Sequence, residues 1–192
     1  SLPRDSWVTV PGNGQAKLNA AFSLGGPALA IRTVEQFTKV PIDHMVITDF
    51  QGFARLTDLL GGVDIEVEET TQGDTYGVGE NFTAGLHHMD GETALTYVRQ
   101  RYVLPQGDFD RVKRQQNWIR SVISAEVDAG VQTDPRRVYE LLDAMASSLS
   151  TDSGFTMEKM RSLALSLRHV GPGGAAFLTA PVQGTGTTAD GQ

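Results

Sequence analysis

The stretch YVRQRYVLPQGDFDRVKRQQNWIRSVI, Tyr97 to Ile123, holds six of the sixteen lysines and arginines in a chain whose formal net charge is −7. Set out at about 100° per residue, the α-helical step, the part that follows Asp108 and Asp110 makes a long basic helix. Asp108 and Asp110 suit its N-terminus, where carboxylates meet free backbone N–H groups. Val112, Trp118, Ile119, Val122 and Ile123 gather in one sector, which predicts the buried stripe. Lys113, Asn117 and Arg120 lie opposite as solvated surface, and Arg114 falls at the rim. Arg111 and Gln115 depart from this pattern. The wheel places Arg111 between Trp118 and Val122, and Gln115 between Val122 and Ile119, inside the apolar sector.

A buried guanidinium left unpaired costs several kcal/mol, so something anionic must meet Arg111. Upstream, if YVRQR leaves its helix extended, Arg99 and Arg101 point the same way, because strand periodicity is two. Like charges about 5 Å apart repel by roughly 3 kcal/mol at an effective dielectric near 20. One reading pairs these arginines with internal acids such as Asp108 and Asp110. Two acids, however, cannot neutralise Arg99, Arg101, Arg111 and Arg114 together. The other reading is a phosphate or pyrophosphate site, since guanidinium forks match phosphate oxygens bidentately. Gln115 would then add a neutral donor, and Asp108 would orient an arginine or hold a metal.

Outward from this segment, 192 residues predict one globular domain, over 1–183, with a tail at 184–192. The acidic balance argues against a nucleic-acid coat, which needs a broad basic face. The chain has no cysteine, which excludes disulfides, zinc–thiolate sites and thiol nucleophiles. No apolar run approaches the length of a membrane span. The abrupt opening on SLPRDSWVTV, which reads as the end of one strand-like run entering a loop, predicts further sequence upstream.

Local patterns supply the elements. GGPALAIRTVEQFTKV reads as a helix with Pro27 in its first turn. PIDHMVITDF reads as a buried strand with His44 satisfied in the core. FQGFARLTDLLGG is a helix stopped by Gly61 and Gly62. VDIEVEE alternates, with Val63, Ile65 and Val67 inward. Residues 70–85 form a loop or lid, and His87 and His88 are loop residues. Asp90 caps a short helix. DPRRVYELLDAMASSL and TMEKMRSLALSLRHV are further helices, and AAFLTAPV is a last strand. Helices alternating with strands predict an α/β fold, a central mixed sheet flanked by helices on both faces. GNGQAK lacks the spacing of a Walker loop or a dinucleotide fingerprint, and there is no G-x-S-x-G elbow and no zinc spacing.

Taken together, SLPRDSWVTVPGNGQAKLNAAFSLGGP, TVEQFTKVPIDHMVITDFQGF, LLGGVDIEV, MDGETALTYVRQR and GDFDRVKRQQ resemble the successive blocks of the LytR-CpsA-Psr family. The resemblance runs from Ser1 to about Ile123 in the family's order. It implies an extracytoplasmic phosphotransferase, tethered to the membrane by an N-terminal helix. Such an enzyme moves a glycopolymer from a polyprenyl diphosphate carrier to peptidoglycan as a phosphodiester. It further implies a lipid tail in a hydrophobic tunnel, with walls from the helices beginning at Pro27 and Phe50. The implied diphosphate-binding residues are Arg4, Arg99, Arg101, Arg111 and Gln115, with Asp108 in support. Of these, Arg99, Arg101 and Arg111 carry the catalytic role. Magnesium, or manganese in its place, is the implied cofactor, its ligands lying upstream of Ser1. The expected state is a monomer with no nucleic-acid partner. Rival readings are a pyrophosphatase using the same residues with water, and a prenyl-phosphate carrier without turnover. A DNA-binding regulator is disfavoured by the negative charge and the lack of a helix-turn-helix signature.

Overall fold

The structure, a computed structural model, describes residues 1–73, 80–100, 104–128, 136, 143, 149–167, 176–181, 184 and 186. The chain opens on a hairpin, β1 (Trp7–Val10) and β2 (Gly14–Lys17), paired antiparallel from Trp7↔Lys17 to Val10↔Gly14. Gly12 and Gly14, at φ 78° and 77°, make the left-handed turn between them. Helix α1 (Ala20–Thr38) is broken at Gly25 and Gly26, and Pro27 opens the second piece, where its missing N–H costs nothing. Val8, Val10, Ala21 and Leu29 form a small core under this unit.

β3 (Val46–Thr48) leads into α2 (Phe50–Leu59), whose cap is Asp49, accepting from Gly52 N at 2.7 Å. β4 (Val63–Val67) buries Val63, Ile65 and Val67 and exposes Asp64 and Glu66, the alternation the sequence predicts. It pairs with β5 (Gly85–Met89), Val63 opposite Met89 and Val67 opposite Gly85. Asp90 caps α3 (Gly91–Arg99) by accepting from Thr93 N at 2.9 Å. α4 (Asp108–Asp128) follows, then β6 (Leu149–Thr151) and α5 (Met157–Leu167).

The main core joins α2, β4, β5 and α3, with α4 laid against it. Phe53, Val63, Ile65, Val67, Met89 and Tyr97 lie inside it, and Trp118 and Val122 of α4 pack on them. Trp118 stacks on Phe53 with ring centroids 4.1 Å apart and donates to Thr57 Oγ1 at 3.1 Å. α2 and α3 approach closely at Gly91, where a Cβ would sit 2.2 Å from the Ala54 carbonyl oxygen.

The α/β class holds, and several details differ from the sequence reading. The described strands form three two-stranded antiparallel sheets, β1–β2, β3–β6 and β4–β5. Each strand is three to five residues long and finds one partner, so alternation reveals a strand without revealing its neighbours. The strand expected across 41–50 shrinks to Val46–Thr48 and is largely exposed. His44 precedes it, half-buried rather than in the core, and is satisfied by Asp152 at 3.3 Å. His87 and His88 lie on β5, not in a loop, because cross-strand pairing with Ile65 and Asp64 extends them. Residues 176–181 are not a strand, although Ala180 N donates to Ser1 O at 2.9 Å. The helix expected from DPRRVYELLDAMASSL lies outside the described residues except at 136 and 143, both helical, and at Leu149, which instead opens β6.

Candidate active site

α4 begins slightly earlier than the sequence predicts, with Asp108 and Asp110 inside its first turn rather than ahead of it, where their charge still suits the free N–H groups. Asp110 accepts from Gln106 N at 2.8 Å and from Lys113 Nζ at 2.9 Å. Burial, the largest single effect, pushes its carboxyl up, but these two bonds and the Lys113 and Arg114 charges together hold it below the usual carboxylate range. Asp108 forms an ion pair with Arg111 one turn on, and the two side chains are only 18% and 16% exposed. The Nε of Arg111 is buried and has no hydrogen-bond partner among the described residues. A donor in that position costs about 1–3 kcal/mol unless a ligand meets it.

Arg99 ends α3 and is exposed, its guanidinium 4.3 Å from the centroid of the Phe50 ring. The condition that YVRQR is extended is not met at Arg99, which belongs to the last helical turn; the extended backbone starts at Gln100. Arg101 lies outside the described residues. Arg4 is exposed and within 3.6 Å of Asp5. Gln115 is exposed, so its expected place in the buried sector of α4 is also corrected.

The buried arginine is Arg114, which the helical wheel set at the rim. It is 7% exposed. Nη1 donates to Gln100 Oε1 at 2.6 Å and to Tyr97 O at 3.3 Å, and Nη2 donates to Thr71 Oγ1 at 2.9 Å. Desolvation lowers its pKa, offset by the neighbouring Tyr97 and Asp110. Ile119, placed in the stripe by its hydrophobicity, is 41% exposed. α4 turns toward α3 and β4 the sector carrying Arg114 and Trp118, because amide, hydroxyl and carbonyl acceptors wait there for the guanidinium. Gln100, fully buried, anchors that network and also donates to Glu80 O at 2.6 Å. No local signal in the sequence marks Gln100, since its partners come from distant segments.

Beside this framework, α1 and α2 expose large apolar side chains: Phe22, Leu24 and Phe37 on α1, and Phe50 and Leu59 on α2. Phe50 belongs both to that apolar surface and to the Arg99 contact. A basic edge meeting apolar helices suits an amphiphilic anion.

The LytR_cpsA_psr family model matches residues 1–192. The chain belongs to the LytR-CpsA-Psr family. Its similarity to members of that family extends across most of its length. It is 36% identical over 169 residues to a protein of Enterococcus faecalis named polyisoprenyl-teichoic acid–peptidoglycan teichoic acid transferase TagU, covering 88% of this chain and 53% of the relative. It is 35% identical over 182 residues to the probable cell wall biosynthesis protein LcpB of Corynebacterium glutamicum, covering 95% and 42%. The chain thus spans about half the length of the curated relatives it matches. Among solved structures, TagV of B. subtilis superposes with a TM-score of 0.82 at 25% identity, covering all of this chain and 74% of that one. The LytR-Csp2A-Psr enzyme from Actinomyces oris gives 0.77 at 26% identity, covering 94% and 70%. These likenesses place the LytR-CpsA-Psr fold under the arginine-bearing helices described above.

Proposed function

We propose that this LytR-CpsA-Psr protein is an extracytoplasmic phosphotransferase that moves a glycopolymer from a polyprenyl diphosphate carrier onto peptidoglycan. The observation that carries the reading is Arg111: a nearly buried guanidinium, held by Asp108, with its Nε unpartnered among the described residues. Relatives named for transfer of teichoic acid to peptidoglycan support it. So does a solved TagT, 26% identical with a TM-score of 0.62, described as bound to LI-WTA. Which glycopolymer this chain moves, teichoic acid, arabinogalactan or capsule, is part of the proposal and is decided by donor competition.

Arg4, Arg99, Arg101 and Arg111 neutralise the diphosphate, and Gln115 adds a neutral donor. Asp108 keeps Arg111 oriented. The prenyl tail runs from Arg99 across Phe50 and along the exposed apolar side chains of α1 and α2, which form the lipid tunnel of this reading. A hydroxyl of the acceptor attacks the phosphorus bonded to the glycopolymer. The new P–O bond forms as the P–O bond to the lipid phosphate breaks; that phosphate leaves with the electron pair, and the hydroxyl proton is released to solvent. Charge growing on the leaving oxygen meets fixed guanidinium groups, which stabilise the transition state. Magnesium or manganese belongs to the reading as a further counter-charge. Among the described residues no three of His, Cys, Asp or Glu converge on a metal site, so every step above uses this chain's own cations. Among the described residues no helix is long and apolar enough to cross a membrane; the anchor of this reading is a separate N-terminal helix.

The test is transfer of a labelled glycopolymer from a polyprenyl-linked donor to peptidoglycan by the unmodified protein and by Arg111→Ala. Covalent product from the first and a loss of at least tenfold in the second are expected. Equal activity in both, or release of free phosphorylated glycan with acceptor present, overturns the assignment.

A further inference from the structure

α4 carries a second feature on the face turned away from Arg111. A cleft of about 240 Å³ opens between this helix and the end of β4. Asn117 clips the two together, Nδ2 donating to Glu66 O at 2.7 Å. Beyond the clip the walls differ in sign. Glu68 and Glu69 continue from β4, and Lys113, Arg114 and Arg120 line the α4 side with Asp110. Those three carboxylates and three cations sum to zero, in a chain of net charge −7.

The opposed walls do not close on one another. Among the described residues no ion pair joins Glu68 or Glu69 to a cation of α4. Lys113 is held on its own helix by Asp110, and Arg114 is held by Gln100, Thr71 and Tyr97. The field of Glu68 and Glu69 still reaches Lys113, whose pKa is raised first by its bond to Asp110 and then by these acids. An open cleft with unlike walls favours a ligand that carries both signs a few ångströms apart. A polyanion gains at one wall and is repelled at the other. An apolar tail would strip water from six charges without pairing them.

We propose that this cleft binds the zwitterionic stem peptide of the peptidoglycan acceptor, its amine toward Glu68 and Glu69 and its carboxylate toward Arg120. The proposal rests on the phosphotransferase reading for the identity of the acceptor. Asp110 and Lys113 of the cleft lie within one turn of Arg111, since a helix rises about 1.5 Å per residue. The same turns of α4 therefore address the donor's diphosphate on one face and the acceptor's peptide on the other.

The test uses the full chain and a soluble disaccharide–tetrapeptide with a free side-chain amine and free carboxylates, with binding followed by calorimetry. The double variant Glu68→Gln/Glu69→Gln and the single variant Arg120→Gln change exposed side chains. Each is expected to weaken fragment binding at least tenfold while binding of polyprenyl diphosphate stays within twofold. N-acetylating the amine or amidating the carboxylates should reproduce the loss in the unmodified protein. No fragment binding by the unmodified protein, variants within twofold of it, or parallel loss of polyprenyl diphosphate binding overturns the proposal. Fragment binding of the expected pattern with no transfer from any donor supports the cleft and overturns the phosphotransferase reading alone.

Discussion

The guanidinium of Arg114 lies over the ring of Tyr97, 4.4 Å from its centroid, and donates to the carbonyl of that same residue at 3.3 Å. α3 thus supplies both an aromatic face and a backbone acceptor to one cation of α4. With Gln100 and Thr71 also accepting, the charge is buried by hydrogen bonding rather than by a carboxylate. Arg114 is therefore a structural fastener between α3, α4 and the chain at Thr71.

Arg114→Met should destabilise the fold by about 3 kcal/mol, because Gln100 Oε1 and Thr71 Oγ1 lose a charged donor in a buried setting. Arg114→Lys should recover only part of this, since one ammonium cannot reproduce the planar fork. Urea unfolding midpoints at a common m-value measure both.

Arg99 is exposed and rests on Phe50, so Arg99→Ala should leave stability within about 0.5 kcal/mol. Loss of one charge-assisted contact, about 1.5–3 kcal/mol, should lower the transfer rate by roughly ten- to a hundredfold. Parallel unfolding and transfer assays separate the two effects. Activity within twofold of the unmodified protein removes Arg99 from the site.

Gly91 faces the backbone of Ala54 too closely for a side chain. Gly91→Ala should push α3 off α2 and cost about 1–3 kcal/mol as overpacking. Thermal unfolding reads the loss directly, and a stabilised variant would mean that the helices part easily.

Asp152 ties the β3–β6 pair by accepting from Met45 N and Gly154 N, each at 2.9 Å, beside His44. The bond from Met45 is the largest cause of its lowered pKa, followed after desolvation by the bond to His44. A carboxylate with a depressed folded pKa stabilises above its unfolded value, about 3.9, and that contribution fades as pH falls through the lower folded value. Asp152→Asn should therefore lower stability at pH 6 and flatten its dependence on pH below about 4. Unfolding midpoints at pH 3 and pH 6 for the two proteins check this; equal slopes would refute it.

The histidines show how far local pattern carries. Val63, Ile65 and Val67 announced β4, but nothing near His87 and His88 announced β5, because that strand exists through its register with Ile65 and Asp64. Likewise His44 finds its acid 108 residues away, a distance that no periodicity spans.

Sequence alone determined the elements that depend on near neighbours. These are the alternation of β4, the acidic N-terminal end of α4, the cap at Asp90 and the break before Pro27. It also determined the family, since that rests on ordered blocks of residues. Tertiary structure decided which arginine went inside. A helical wheel sets the angles between side chains but not which sector meets a partner. For Arg114 that choice came from acceptors 43 and 14 residues away at Thr71 and Gln100. The same packing brought two acids from β4 opposite the cations of α4. Burial of charge is settled by distant groups able to hydrogen-bond it, and only the folded chain brings them together.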